Sequence, residues 1–236
     1  SYSVKHDVTF EDLIYRSEHV MRNERDVIRG HMSRNGVELM WGEARFEDKN
    51  TIHIERMDGA DMVRAENIII AVGTTPSRPR EVPFNDQHVV DSDGFLRLSR
   101  IPKSIIIVGG GVIGVEYACM MAALGVRVSL TEAREKLLDF ADSEIIEALQ
   151  YHMRNAGITL RLGERVEHIS MTSSGLVEAF MDSGKHLRAE TLLYAIGRQG
   201  ATALLGLDKV GILPDQRGRI PVNANFQTQI PNIYAV

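Results

Sequence analysis

Residues 104–132 read SIIIVGGGVIGVEYACMMAALGVRVSLTE, an apolar run, a glycine turn, a helix-forming stretch, a second apolar run and then a carboxylate. Gly109, Gly111 and Gly114 fit G-x-G-x-x-G, and Glu132 follows Gly111 by 21 residues. Each part has a separate physical job in holding a dinucleotide. Gly109 lets a strand turn sharply into a helix, Gly111 lets the backbone approach a pyrophosphate, and Gly114 lets the helix pack close to the sheet. The helix N-terminus, with Gly110, Val112 and Ile113 around it, offers unpaired N–H groups and a partial positive charge to the phosphates. Glu132 is placed to accept hydrogen bonds from the adenosine ribose hydroxyls. Packing alone would explain a glycine triplet. Strand, triplet, helix, strand and acid in register point to a dinucleotide. A membrane span is excluded for this stretch, because three clustered glycines, Glu116 and Arg127 would enter the hydrocarbon.

The bulk properties narrow the class. With 236 residues the chain can bury a substantial core, and 44% apolar with 25% charged residues is ordinary for a soluble protein. A net charge of −5 argues against a nucleic-acid surface, which needs clustered Lys and Arg. Cys119 is the one cysteine, so no intrachain disulfide forms, and cytoplasm is the expected compartment. The eight histidines show no metal-ligand spacing, and no metal site is expected. The chain starts without methionine and stops at Val236 inside a strand-like apolar run, the expectation for a fragment.

Along the chain, Thr9 and Asp12 read as a helix start, and the apolar positions Leu13, Ile14, Val20, Met21, Val27 and Ile28 carry that helix to about Met32, stopping near Gly36. Residues 37–45, 51–56 and 62–71 read as strands, with a turn at Asp58-Gly59. The proline-rich stretch from Pro76 to Pro83 reads as a linker. Asp91 and Asp93 read as a turn and cap pair. Residues 143–155 are an amphipathic helix stopped by Gly157, followed by strands at 158–162, 166–170, 176–181 and 187–195. The fold class is α/β: a Rossmann-like parallel sheet with a β-meander crossover.

Several ordered motifs now extend beyond the glycine turn. They are Ala71-Val-Gly-Thr-Thr-Pro76, Ala195-Ile-Gly-Arg198, Arg217-Gly-Arg-Ile-Pro-Val-Asn223 and the stretch from Gln227 to Ala235. On these, nearly the whole chain resembles the flavoprotein pyridine nucleotide–disulfide oxidoreductase family. Within it, Tyr151-His-Met-Arg-Asn-Ala-Gly157 and Leu192-Leu-Tyr-Ala-Ile-Gly-Arg-Gln-Gly200 are more similar to the soluble pyridine nucleotide transhydrogenases, while the C-terminal stretch is equally similar to lipoamide dehydrogenases. The resemblance implies a division into residues 1–99, part of an interrupted FAD-binding domain, residues 100–216, an NAD(P)-binding domain, and residues 217–236, a truncated return to the FAD domain. It implies a parent that passes hydride between NADH and NADPH through FAD, and that dimerises through a domain absent here. The family's earlier glycine motif for FAD, its redox cysteine pair and its C-terminal domain are not in this sequence, so the flavin site is expected to be incomplete and the piece inactive alone.

The resemblance also carries roles onto single residues. Glu116 falls where the family places a glutamate near the nicotinamide and flavin rings; as a bare helix residue it is a first-turn acid favoured by the helix dipole. Val166 matches a position that packs on the adenine, and Gly197 a turn that approaches the nicotinamide half. Arg198 either faces phosphate or supports that turn. Glu132 favours NAD, because its charge repels a 2′-phosphate; Arg134 and Lys136 stand near enough to attract one, or are solvated loop charges. Cys119 reads as a buried structural thiol, and no residue of the chain is expected to act as a protein nucleophile. Two other readings compete: a disulfide oxidoreductase of the lipoamide dehydrogenase type, and a non-enzymatic dinucleotide-binding redox sensor, which would be expected to carry an effector element.

Overall fold

The structure, a computed structural model, describes residues 10–236, with side chains from Tyr15 onward. The proposed N-cap Thr9 and the side chains of Asp12, Leu13 and Ile14 therefore lie outside the described residues. Helix α1 spans Phe10–Arg34 and ends before Gly36, as its pattern predicts. Its apolar positions Val20, Met21, Val27 and Ile28 are exposed. Among the described residues no helix is long and apolar enough to cross a membrane.

Strands β1 (Glu43–Asp48), β2 (Thr51–Arg56) and β3 (Gly59–Arg64) form an antiparallel meander. Residues 37–42, expected to open the first strand, are not in one. Glu43 already pairs with Glu55, and Arg56 begins the turn to β3, so β2 has no partner left for them. The strand expected over 62–71 is two: β3 ends where Arg64 meets Thr51, and β4 (Ile68–Ile70) belongs to another pairing. Strand β5 (Thr74–Pro76) closes this part of the chain.

After Pro76 the chain builds a layered unit over Pro76–Gly197. Its elements in order are β6 (Val89–Val90), α2 (Ser92–Phe95), β7 (Ser104–Val108), α3 (Val112–Ala123), β8 (Arg127–Glu132), α4 (Ser143–Asn155), β9 (Thr159–Leu162), β10 (Val166–Met171), β11 (Val177–Met181), β12 (His186–Ala189) and β13 (Thr191–Tyr194). Five strands lie parallel in the order β6-β13-β7-β8-β9, and β10-β11-β12 form a separate antiparallel meander. The single strand expected over 187–195 breaks at Glu190 because its halves pair differently. His186–Ala189 joins the meander, while Thr191–Tyr194 enters the parallel sheet. Glu190 marks the joint, its carboxylate accepting from Arg100 Nη1 at 2.8 Å and the Lys103 N–H at 3.1 Å.

The apolar run of β7 explains the layering. Ile105 and Ile107 face one side with Val115, Ala118 and Met121 of α3 and Ile146 and Met153 of α4. Ile106 and Val108 face the other, with Ile169, Val177, Ala179 and Ala189 of the meander. A strand buried on both faces needs consecutive apolar residues, not alternation. At about 25 cal/mol per Å² of apolar surface, each such Ile contributes roughly 2–3 kcal/mol before conformational entropy is subtracted. Asp91 caps α2 by accepting from the N–H groups of Asp93 and Gly94 at 3.0 and 2.7 Å, so the cap expected there forms.

The second compact unit joins Val20–Thr75 with Arg198–Val236. Strand β14 (Arg198–Gly200) pairs with β5, and β15 (Ile233–Ala235) pairs in parallel with β4. Phe46, Ile70, Leu207, Val210, Ile212, Ile233 and Ala235 form its core.

Candidate dinucleotide-binding site

The turn between β7 and α3 separates the glycines by what surrounds them. Gly109 has φ +113°, in the left-handed half of backbone space, and a Cβ there would stand 2.6 Å from the carbonyl oxygen of Ala195. A Cβ on Gly114 would be driven into the carbonyl oxygen of Gly109, and one on Gly110 would strike Leu137 and the Glu132 side chain. These three glycines are required by the protein's own packing. Gly111 differs: its backbone is extended, with φ −77° and ψ −176°, and no atom lies within 4 Å of its would-be Cβ. It caps α3 without contributing a side chain to the first N–H groups of the helix. An open approach beside an uncapped helix N-terminus suits a phosphate.

Glu132, at the end of β8, is buried beside this turn. Its Oε2 accepts the Gly110 N–H at 2.6 Å and Arg134 Nη2 at 3.2 Å. Its Oε1 accepts the Arg134 N–H and Nε, both at 2.9 Å. Burial by itself would raise the carboxyl; the hydrogen bonds from Arg134 and Gly110 and the Arg134 charge outweigh it and hold Glu132 below its ordinary value of 4.5. A depressed carboxyl contributes stability that is complete above the unfolded value and is lost as pH falls through the folded one. Glu132→Gln is therefore expected to lower stability at pH 7 by on the order of 2–4 kcal/mol. The gap from wild type should narrow as pH drops below 4.5, the ordinary carboxyl value. Urea melts of both proteins across that range check it; a gap independent of pH would remove the charge from the account.

The loop after β8 is tied back to the same turn. Leu137 is fully buried against Gly110, and the Leu138 N–H donates to the Gly110 carbonyl at 3.1 Å. Leu138 takes φ +44°, unusual for a branched residue, and the chain then delivers Asp139, whose Oδ2 stands 2.6 Å from Arg134 Nη1. The Gly163 N–H donates to the Arg134 carbonyl at 2.9 Å, and Glu164 N–H to the Glu132 carbonyl at 3.1 Å. Val166, half-buried at the start of β10, is two residues on.

The fold thus joins Gly110, Glu132 and Arg134 at the turn, sets Ala195, before the Gly197 turn, against Gly109, and packs Val166 against the cluster that holds Ile106 and Val108. Glu116 is exposed and lies in the second turn of α3, not the first as expected, because the helix starts only at Val112 after the Gly111 cap. Lys136 donates to Ser143 Oγ at 2.9 Å. Arg198 supports its turn, donating from Nε to Thr74 Oγ1 and from Nη2 to the Thr74 carbonyl, each at 2.8 Å. The Cys119 thiol, expected to be buried, is exposed on α3, because the buried face of that helix is the one through Val115, Ala118 and Met121; what desolvation it has pushes its pKa up. Asp139 was not anticipated: a carboxylate five residues past an arginine in a loop carries no periodic signal.

The family model described as pyridine nucleotide-disulphide oxidoreductase matches residues 2–236. The chain belongs to this family. It is 45% identical over 238 residues to a protein of Mycobacterium bovis named soluble pyridine nucleotide transhydrogenase, covering 100% of this chain and 51% of the relative. A Yersinia enterocolitica protein of the same name is 41% identical over 229 residues, covering 97% and 49%. The chain thus spans about half the length of the curated relatives it matches. Among solved structures it resembles the HOCl-induced flavoprotein disulfide reductase RclA from Escherichia coli, with TM-score 0.87 and 29% identity over 97% of this chain and 52% of the other. LpdA from Mycobacterium tuberculosis shares the fold, with TM-score 0.90 and 22% identity over 98% and 51%.

Proposed function

We propose that the protein binds a nicotinamide dinucleotide across Gly109 to Gly114, and that it is the nucleotide-binding part of a flavin-dependent soluble pyridine nucleotide transhydrogenase. The observation that carries the reading is the open Cβ position of Gly111 beside the uncapped N-terminus of α3, where its neighbours Gly109, Gly110 and Gly114 are all closed off by protein. The pyrophosphate sits on the N–H groups of Val112 and Ile113, the adenosine ribose lies toward Glu132 with the adenine toward Val166, and the nicotinamide half runs toward Gly197 and Glu116. Hydride transfer is the chemistry that nicotinamide and flavin supply; the protein's share is position and electrostatics. No side chain here is needed as a nucleophile.

The same reading assigns residues 100–216 to an NAD(P)-binding domain and residues 1–99 and 217–236 to a domain that holds FAD. A homodimer working in the cytoplasm fits relatives named as soluble enzymes. The net charge of −5 argues against nucleic acid as a partner. Disulfide reduction is a second reading, favoured by the likeness to RclA. It needs a redox-active cysteine pair, and because the chain spans about half the length of its relatives, the single Cys119 neither favours nor opposes that reading. Titration calorimetry with NADH and with NADPH at one fixed salt concentration tests the site. Both nucleotides should bind, NADH the more tightly, because Glu132 opposes a 2′-phosphate; binding of neither would sink the proposal.

A further inference from the structure

A carboxylate offers about four acceptor positions. All four on Glu132 are taken by protein donors: the N–H of Gly110 and, from Arg134, the backbone N–H, Nε and Nη2. Two of those donors are backbone groups, one in the glycine turn and one in the loop after β8. The other two belong to a side chain that is 47% exposed, while the Glu132 side chain it holds is 8% exposed. A ribose diol that is to hydrogen-bond Glu132 must take the two positions occupied by the Arg134 guanidinium. The displaced guanidinium has one partner already in contact, Asp139, 2.6 Å from Nη1 and 55% exposed.

We propose that Arg134 stands in the ribose-binding positions of Glu132, and that Asp139 is the positioning residue that decides which nucleotide releases it. The inference rests on the dinucleotide reading and adds selectivity to it. With NADH, the ribose hydroxyls replace the guanidinium on Glu132 and Asp139 keeps it. With NADPH, the 2′-phosphate competes with Asp139 for the same guanidinium, whose planar fork matches phosphate as well as carboxylate. The three charged groups sum to −1 with Asp139 present and to zero without it, so Asp139 tilts the site toward the nucleotide lacking the extra phosphate. Lys136, turned to Ser143, is held by another partner. The backbone is built to present Asp139: Leu137 is anchored under Gly110, and the left-handed Leu138 reverses the chain immediately before the carboxylate. An unfavourable conformation is retained where its surroundings hold it, and it marks a place worth testing for function.

An exposed ion pair is worth at most about 1 kcal/mol, so each arm of the effect is a few-fold. Asp139→Asn is expected to tighten NADPH and weaken NADH, moving the ratio of the two dissociation constants by about tenfold. Asp139→Glu restores the wild-type ratio. Arg134→Ala moves it the other way, weakening NADPH by about tenfold while NADH binds as tightly or more so. Calorimetry with NADH and NADPH reads all four proteins, and thermal melts by circular dichroism confirm that each is folded. An unchanged ratio in Asp139→Asn, or equal loss of both nucleotides in Arg134→Ala, overturns the selectivity role while wild-type binding stands. Failure of the wild type to bind either nucleotide instead overturns the site itself, and the inference with it.

Discussion

Gly114→Ala should cut the stability of the protein by about 3 kcal/mol or more, a fall of roughly 10 °C in melting temperature for a chain of this size. The direction is set by two opposing effects. Alanine is the better helix former, and in an exposed helix the change would stabilise by about 1 kcal/mol. Here the added methyl enters the carbonyl oxygen of Gly109, a backbone atom that cannot rotate away. Relieving the overlap requires α3 to move off β7, which opens the packing of Val115, Ala118 and Met121 against Ile105 and Ile107. The clash wins because it disturbs the largest core cluster. A melt followed by circular dichroism measures this, and an unchanged midpoint would show that helix and turn have room to part.

Gly111→Ala should do the reverse, leaving the fold in place and removing nucleotide binding. The extended backbone of Gly111 suits alanine, and nothing of the protein lies within 4 Å of the new methyl. Alanine is a poorer N-cap than glycine, so a loss of up to about 1 kcal/mol, or roughly 3 °C, is expected. The methyl fills the space through which a pyrophosphate reaches the first N–H groups of α3. Losing two charge-assisted hydrogen bonds, each worth about 1.5–3 kcal/mol, weakens NADH at least about hundredfold. Calorimetry on the folded variant checks it. Near-normal affinity would mean that the pyrophosphate is held elsewhere. Together the two variants separate what the glycine motif does for the fold from what it does for a ligand, although both glycines look alike in the sequence.

Much of the parallel sheet could be read directly. Four consecutive apolar residues before a glycine turn demand a strand buried on both faces, and the helix over Ser143–Asn155 carries its periodicity and its glycine stop within itself. Those signals are local. The strand breaks were not, because Ile68–Ile70 and Thr191–Tyr194 continue apolar runs whose division depends on which distant strand each half meets. Residues 37–42 failed as a strand for the same reason: strand propensity without a partner leaves the backbone hydrogen bonds unmade. Cys119 reads as buried by its apolar neighbours, yet the face of α3 that packs is chosen by the sheet beneath it.

The division of the site follows the same line. The placement of Gly109, Gly111, Gly114 and Glu132 around one turn was legible in the sequence, because a strand–turn–helix–strand unit fixes the spacing of its own groups along the chain. Only the tertiary structure decided that Arg134 saturates the Glu132 carboxylate and that Asp139 holds Arg134. Those contacts depend on Leu137 being buried under Gly110 and on the backbone turning left-handed at Leu138, and neither is written in a residue pattern. Spacing specifies groups on one element; charge pairing between a strand end and a loop is settled by packing.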